Sequence, residues 1–217
     1  MAGRNAAVVM GDVVSSRSLE PAMLHDLFNA AVARANLLVP AQLLSPLTIT
    51  LGDEFQGLAR TLATAAELAR AIRLDLLARG VDCRLVIGTA RLETPLNVAQ
   101  AWNMMGEGLA EARGVLNARR DLSLYRFSLP GRTVLQRTLD AVGAALTQIE
   151  RRWTVRQRET IIGSLDDRAV ARMAAEQGVV PRSVYKVRQA GGFDLYAELW
   201  SALAAQLAAL DAEEGRA

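Results

Sequence analysis

The order of apolar segments in the first 131 residues constrains the fold more than any other feature of the chain. The run from Ala6 to Gly11 is short, apolar and rich in valine, which is typical of a buried strand. It is followed by an amphipathic helix over residues 19–35, a hairpin over residues 47–59, a helix from Leu62 to Leu77 and a strand from Asp82 to Gly88. This β-α-β-β-α-β order predicts a ferredoxin-like α/β (α+β) domain in which the first strand pairs with the hairpin.

Two more elements extend this domain before the pattern changes. Residues 98–117 have helical spacing and residues 121–129 read as a strand, after which Pro130 and Gly131 interrupt the chain. We therefore expect one domain over residues 1–131 and a second over residues 132–217. With 217 residues, 51% of them hydrophobic, the chain is long enough for a main core and a smaller one.

The second domain is predicted to be all helical. A long helix from Thr133 to Arg152 would join it to the first domain, and shorter helices follow. Asp166 or Asp167 is expected to cap one of these short helices. The apolar segment from Phe193 to Leu210 has helical spacing and would pack on its own domain or on another subunit.

A helix-turn-helix pattern lies within this region. Ala174 is small enough for two helices to cross, Gly178 suits a left-handed turn, and Val184 and Val187 would seat the second helix. The net charge of +2 does not by itself identify a nucleic-acid binder, and a helical bundle used for protein contacts is the alternative. The residues predicted to face DNA are Arg182, Ser183, Tyr185, Lys186 and Arg188.

Two acidic motifs point to a metal site. Asp12 ends the first strand and Asp53 lies in the hairpin turn, so pairing of these strands would bring both carboxylates to one edge of the sheet. Two close carboxylates repel unless a cation or a proton lies between them. The alternative is that Asp12 caps a helix and Asp53 only makes a turn. The candidate phosphate-binding residues beside them are Val13, Ser15, Ser16, Arg17, Gly52 and Glu54.

Composition limits which metal the protein could bind and in which cellular compartment we expect it. Cys83 is the only cysteine and His25 the only histidine, which excludes an internal disulfide and a zinc site built from soft ligands. A hard cation held by oxygen, such as Mg²⁺, remains. No apolar run is long enough to span a membrane, and the first residues lack the pattern of a secretory signal. We therefore expect a cytoplasmic protein without a membrane partner.

Three segments carry a family resemblance. The stretches Gly11–Arg17, Thr48–Gly57 and Arg84–Gly88 resemble the SatD family of bacterial proteins and, more distantly, the class III nucleotidyl cyclases and GGDEF diguanylate cyclases. The cyclase likeness implies that Asp12 and Asp53 hold two Mg²⁺ ions. It also implies the Val13 carbonyl as a further ligand, Glu54 as a neighbouring acid, and two-metal catalysis of an in-line displacement.

The cyclase pattern is incomplete. Leu51 stands where a diguanylate cyclase has its first glycine, which would make the turn less open to a nucleotide. Leu109 occupies the place of the class III asparagine, while Arg113 matches the arginine and is the one candidate catalytic residue. Adenylyl cyclases also use a lysine to recognise adenine, whereas Lys186, the sole lysine of this chain, lies in the other domain. These departures favour a degenerate, ligand-sensing domain over an active cyclase.

The sequence thus supports one leading hypothesis and two alternatives. The leading hypothesis is a DNA-binding regulator whose cyclase-like domain binds a nucleotide or phosphorylated small molecule with Mg²⁺. A homodimer is expected because cyclase-like sites often lie between subunits and helix-turn-helix proteins commonly bind paired half-sites. The alternatives are an active nucleotidyl cyclase or phosphoryl-transfer enzyme whose C-terminal helices dimerise, and an interaction module without metal or DNA affinity.

Overall fold

The valine-rich segment near the start of the chain forms the central strand of a sheet, β1 (Arg4–Val13), in the computed structural model. Ala7, Val9 and Val13 join an apolar cluster on one face of the sheet. Val8 and Met10 join a second cluster on the other face. An unbroken apolar sequence is required there because both faces of the strand are covered.

The structure describes residues 4–118 and 123–215, without the side chains of Arg4 and Arg17. The other strands are β2 (Leu43–Leu51), β3 (Glu54–Ala59), β4 (Cys83–Leu92), β5 (Gly106–Glu107) and β6 (Tyr125–Ser128). The helices are α1 (Pro21–Leu38), α2 (Leu62–Ala78), α3 (Leu109–Leu116), α4 (Thr133–Arg152), α5 (Val155–Leu165), α6 (Val170–Glu176), α7 (Pro181–Ala190) and α8 (Phe193–Glu213).

The sheet has the predicted topology. Its strands lie in the order β2-β3-β1-β4-β5, and β6 pairs with β4 in parallel. The central strand β1 is antiparallel to both β3 and β4. Helices α1 and α2 cover one face, and α3 covers part of the other. The ferredoxin-like α+β prediction is therefore confirmed.

The helix predicted over residues 98–117 begins only at Leu109, so its first half was wrong. The preceding segment instead crosses the sheet, where the Thr48 hydroxyl accepts a hydrogen bond from the Ala101 N–H at 2.9 Å. The side-chain amide of Gln56 donates to the Ala101 carbonyl at 2.9 Å. These side chains satisfy the backbone groups that a helix would have paired internally. Residues 121 and 122 of the strand predicted over 121–129 lie outside the described residues.

Helix α4 closes the outer edge of β6. The Asp140 carboxylate accepts from the Phe127 N–H at 3.0 Å, and the Gln136 side chain accepts from the Leu129 N–H at 2.8 Å. An uncovered strand edge would expose unpaired backbone groups to other chains. The helix predicted to join two domains is therefore itself packed along the sheet.

Helix α8 returns to the first half of the chain. The Asp211 carboxylate accepts hydrogen bonds from the N–H groups of Leu62 and Ala63, at 2.9 and 3.0 Å. It thus supplies a negative charge and two acceptors at the start of α2. One apolar cluster runs from β1 to Leu210, across the boundary predicted at residue 131. That division of the chain stays a prediction.

A buried cluster of charged and phenolic groups, the closed cluster, ties the sheet to the C-terminal helices. The Arg73 guanidinium donates to Glu150 and to Asp82, both at 2.8 Å. Glu150 also accepts from the hydroxyls of Tyr125, at 2.7 Å, and Tyr196, at 2.9 Å. Burial and the charge of Glu150 raise the pKa of both tyrosines well above the ordinary value. They therefore act as neutral donors to this carboxylate.

Helices α6 and α7 form the predicted helix-turn-helix. Gly178 has a φ of +63° in the turn between them, a conformation that glycine adopts without strain. Ala174 and Val184 pack together in a small apolar cluster. The predicted acidic cap was wrong: Asp166 ends α5, and α6 begins after Ala169 with no side-chain cap. None of the described helices has the length and hydropathy needed to cross a bilayer.

Candidate functional site

Strand pairing places charged residues side by side at the end of β1. Asp12 lies opposite Glu54 of β3 on one side and opposite Arg84 of β4 on the other. The preceding residue must be small, since a Cβ at Gly11 would lie 2.5 Å from the Phe55 ring and 2.8 Å from the Arg84 carbonyl oxygen. The tight packing at Gly11 fixes where the Asp12 carboxylate emerges.

Asp12 is held by a two-pronged ion pair. The Arg84 Nε lies 2.9 Å from one carboxylate oxygen of Asp12, and a terminal guanidinium nitrogen lies 2.6 Å from the other. Burial raises the pKa of Asp12, Arg84 lowers it in part, and the charges of Asp53 and Glu54 raise it further. The Asp53 and Glu54 carboxylates are therefore close enough to repel that of Asp12. We call Asp12, Asp53, Glu54, Arg84 and Arg113 the open cluster.

Asp53 is tied to the loop that follows β1. Its carbonyl accepts from the Val13 N–H at 2.9 Å, and its carboxylate accepts from the Ser16 hydroxyl at 2.5 Å. The Val14 N–H donates to the Asp82 carbonyl at 2.8 Å. The N–H groups of Val13 and Val14 are thus used within the fold, so the candidate residue Val13 would not donate its N–H to a phosphate.

The remaining predicted ligand residues surround this loop and turn. Ser15 is exposed in a left-handed conformation, with a φ of 56°, and the side chain of Arg17 lies outside the described part. A Cβ at Gly52 would meet nothing within 4 Å, and 62% of Leu51 is exposed. The hairpin turn therefore has open space beside Gly52, and the effect of Leu51 on access to the turn stays a prediction.

Helix α3 contributes Arg113, the candidate catalytic residue predicted from the sequence. Arg113 forms an ion pair with Glu54 and donates to the Gln56 side chain at 3.2 Å. Arg84 and Gln56 were missed as site residues. A signal for them was present, because both replace an apolar residue at alternate strand positions on the face that carries Asp12.

The donor set fits a hard cation. Asp12 and Asp53 offer carboxylate oxygens and Ser16 offers a hydroxyl, the ligand types that Mg²⁺ prefers. Across residues 4–118 and 123–215, no three acidic, histidine or cysteine side chains form a ready-made metal cage. Mg²⁺ commonly uses one or two carboxylates and completes its shell with water and phosphate oxygens. The chemistry of the site is therefore compatible with Mg²⁺ bound together with a phosphorylated ligand.

The predicted DNA-facing residues of α7 divide into two groups. Arg182, Tyr185 and Lys186 are exposed. Ser183 and Arg188 are half-buried, which corrects the expectation that both face solvent. The Arg188 guanidinium lies 3.9 Å from the centre of the Phe193 ring, a cation–π contact that turns it towards α8.

The fold and these sites define a mixed α+β protein with a ferredoxin-like sheet and a C-terminal helix-turn-helix. The model of the SatD family matches residues 6–196, and the chain belongs to the SatD family. A search of curated proteins finds no match.

Solved structures of low similarity include two cyclases. A bacterial light-regulated adenylyl cyclase is 12% identical with a TM-score of 0.41, and the match covers 58% of this chain and 44% of that chain. The guanylyl cyclase Cya2 is 12% identical with a TM-score of 0.35, and the match covers 53% of this chain and 71% of that chain. The chain therefore spans less than half the length of the first of these structures.

Proposed function

We propose that this protein is a cytoplasmic, dimeric DNA-binding regulator whose sheet edge binds a nucleotide or another phosphorylated small molecule together with Mg²⁺. The observation that carries the proposal is the exposed basic face of α7 within a helix-turn-helix. The same chain also brings acidic side chains together at the end of the central strand β1. The first feature suits DNA and the second suits a cation with its phosphates.

The DNA-binding part rests on the spacing of exposed side chains. Arg182, Tyr185, Lys186 and Gln189 are all exposed and recur at three and four residue intervals, so they share one face of α7. The second helix of a helix-turn-helix commonly enters the major groove. Arginine and lysine there contact phosphates and guanine edges.

The ligand-binding part rests on the open cluster. Asp12 and Asp53 would hold the cation, and Ser16 would orient Asp53 through the hydrogen bond already described. When bound, Mg²⁺ supplies positive charge that neutralises phosphate oxygens. Ser15 is exposed in the loop after β1, Glu54 lies opposite Asp12 in the sheet, and the turn at Gly52 has open space beside it.

A salt-dependent binding measurement tests the DNA part. Wild-type protein should bind a labelled duplex of random sequence in fluorescence anisotropy and should weaken steeply between about 50 and 200 mM salt. The double variant Arg182→Ala with Lys186→Ala should bind more weakly and reduce the salt slope by about two. Arg34→Gln, which removes a charge from α1, serves as the control. Wild-type protein that shows no salt-dependent binding rules out DNA recognition.

Thermal-shift screening tests the ligand part. A nucleoside triphosphate with Mg²⁺ should raise the melting temperature of the wild-type protein more than Mg²⁺ or nucleotide alone, since a ligand specific for the native state stabilises it. Asp53→Asn should abolish the increase, and Asp75→Asn, on α2, should leave it intact. The ligand part is wrong if Mg²⁺ with phosphate, nucleoside mono-, di- or triphosphates leaves the melting temperature unchanged.

An enzyme is the second candidate, favoured by the approach of Arg113 to the acids of the open cluster. A nucleotidyl cyclase or phosphoryl-transfer enzyme would use Asp12 and Asp53 as metal ligands. Chromatography of each nucleoside triphosphate incubated with protein and Mg²⁺ or Mn²⁺ separates the two functions. Turnover that disappears in Asp53→Asn would replace the regulator-only proposal with the enzyme.

A further inference from the structure

Arg84 already provides the positive charge beside the Asp12 carboxylate. We propose that its guanidinium holds the position of a divalent cation in the ligand-free protein, and that Arg84 and the metal compete for Asp12. This inference rests on the proposed metal site and concerns how that site is regulated. It predicts that Arg84 lowers the affinity of the protein for metal.

The geometry makes the ion pair a direct obstacle to a metal. Arg84 donates to both Asp12 oxygens, at 2.9 and 2.6 Å, in the in-plane arrangement that matches a carboxylate. A guanidinium has no lone pair to offer a metal and keeps its charge at every accessible pH. A cation that reached Asp12 would therefore meet both an occupied carboxylate and a repelling charge.

Partial exposure allows the pair to open. The side chains of Arg84 and Asp12 are each 20% exposed, so the guanidinium lies at the border of solvent. Arg73, in the closed cluster, is 0% exposed and is held by Glu150 and Asp82. Arg84 and Arg73 thus make similar ion pairs, but only Arg84 lies close enough to solvent to separate from its carboxylate.

The local charge also favours exchange. Three carboxylates of the open cluster, Asp12, Asp53 and Glu54, face two guanidinium groups, Arg84 and Arg113. Withdrawal of Arg84 leaves an acidic edge with a charge suited to a divalent cation. Arg113 remains paired with Glu54 on the α3 side, so of the two arginines in the open cluster only Arg84 has to move.

Titration with Mn²⁺ tests the competition. Full-length wild-type protein, Arg84→Gln and Arg34→Gln would be titrated with Mn²⁺ alone and followed by electron paramagnetic resonance of the free ion. Arg84→Gln should bind Mn²⁺ roughly tenfold more tightly, because it removes a unit charge next to the site. Arg34→Gln has the same net charge and breaks an ion pair with Asp75 far from the cluster, so it should bind like the wild type.

Two further variants identify the cause of any change. Asp12→Asn combined with Arg84→Gln should lose the gain, since the metal then lacks the carboxylate that Arg84 had covered. Arg84→Lys keeps the charge with a single donor group, and it should fall between wild type and Arg84→Gln. It also provides a readout if Arg84→Gln does not fold.

The outcomes separate this inference from the proposed function. If the wild-type protein binds Mn²⁺ and Arg84→Gln binds it equally or more weakly, the competition is wrong and the proposed metal site is retained. Folded wild-type and Arg84→Gln proteins that both fail to bind Mn²⁺ would overturn the metal site and the competition together. Equally tighter binding of Mn²⁺ by Arg84→Gln and by Arg34→Gln would show an effect of net charge alone and would also overturn the competition.

Discussion

Two charged clusters lie on opposite faces of the same sheet, and β4 contributes to both. Cys83 faces the closed cluster, where burial raises the pKa of its thiol to about 12 despite the nearby Arg73. The next residue, Arg84, points to the other face and pairs with Asp12 of the open cluster. Adjacent residues of one strand thus serve different environments because strand side chains alternate between faces.

Burial distinguishes the structural ion pairs of the closed cluster from the candidate functional pair of the open cluster. Glu150 is fully buried and accepts three hydrogen bonds, so loss of any donor leaves a charge that water cannot solvate. Among the described side chains, Asp12 pairs with Arg84, and it lies beside two further acids and remains partly exposed. An arrangement of this second kind costs stability, and the proposed cation would relieve the repulsion.

The largest expected effect is in the closed cluster. Arg73→Met or Glu150→Leu alone should lower the free energy of unfolding by about 3–5 kcal/mol. The first leaves the buried Glu150 without a cation, and the second leaves the buried Arg73 with the partly exposed Asp82 as its acidic partner. Urea denaturation followed by tryptophan fluorescence measures the loss of stability. The double variant should be more stable than either single variant. If each single variant lowers the free energy of unfolding by less than about 1 kcal/mol, as for exposed ion pairs, the closed cluster does not differ from the open cluster in its contribution to stability.

A smaller loss is expected at the base of the open cluster. Gly11→Ala should destabilise the protein by about 1–3 kcal/mol, as overpacking of a tight interior does, because its Cβ would clash with Phe55 and the Arg84 carbonyl. Gly114→Ala is the matched control, since a Cβ there meets nothing within 4 Å. It should be stabilising by roughly 0.5–1 kcal/mol in helix α3. Equal urea midpoints for the two variants would contradict the packing argument.

The contact between α8 and α2 should contribute about as much as a helix cap. Asp211→Ala should cost about 1 kcal/mol, because the N–H groups of Leu62 and Ala63 lose their acceptor. Glu213→Ala, two residues later, removes only an exposed ion pair with Arg132 and should change the urea midpoint little. An Asp211→Ala midpoint equal to that of Glu213→Ala would show that this contact adds nothing.

The smallest effect concerns the pH dependence of Asp12. Its pKa is raised in the folded state, chiefly by burial, so its contribution to stability is fully present below the unfolded-state pKa of about 3.9. The contribution is lost as pH rises through the folded-state pKa. The melting temperature of Asp12→Asn minus that of the wild type should therefore rise from acid to neutral pH. A relative melting temperature that falls over this range would contradict the sign.

Part of the site was predictable from local sequence. Asp12 and Asp53 each sit at the end of a strand signal, and strand order alone brings those ends together. Arg84, Gln56 and the approach of Arg113 were not predictable in the same way. A polar residue in a strand looks the same in sequence whether it meets solvent, a loop or a helix.

The segment before α3 shows the same limit for secondary structure. Its spacing was compatible with a helix, yet Thr48 and Gln56 bind its backbone at Ala101 and hold it across the sheet. Those partners are more than 40 residues away in the chain. Long-range hydrogen bonds therefore override the local helical preference, as tertiary contacts commonly do.

The strand and helix order can be predicted from the amino-acid sequence, as can the helix-turn-helix signal and the two acidic turns, because these depend on periodicity and on residues next to one another. Which charges meet depends on packing: Arg73 meets Glu150 in the interior, Arg84 meets Asp12 at the end of β1, and Asp211 meets the start of α2. Such pairs join distant residues, and their energies depend on burial, which only the packed chain defines.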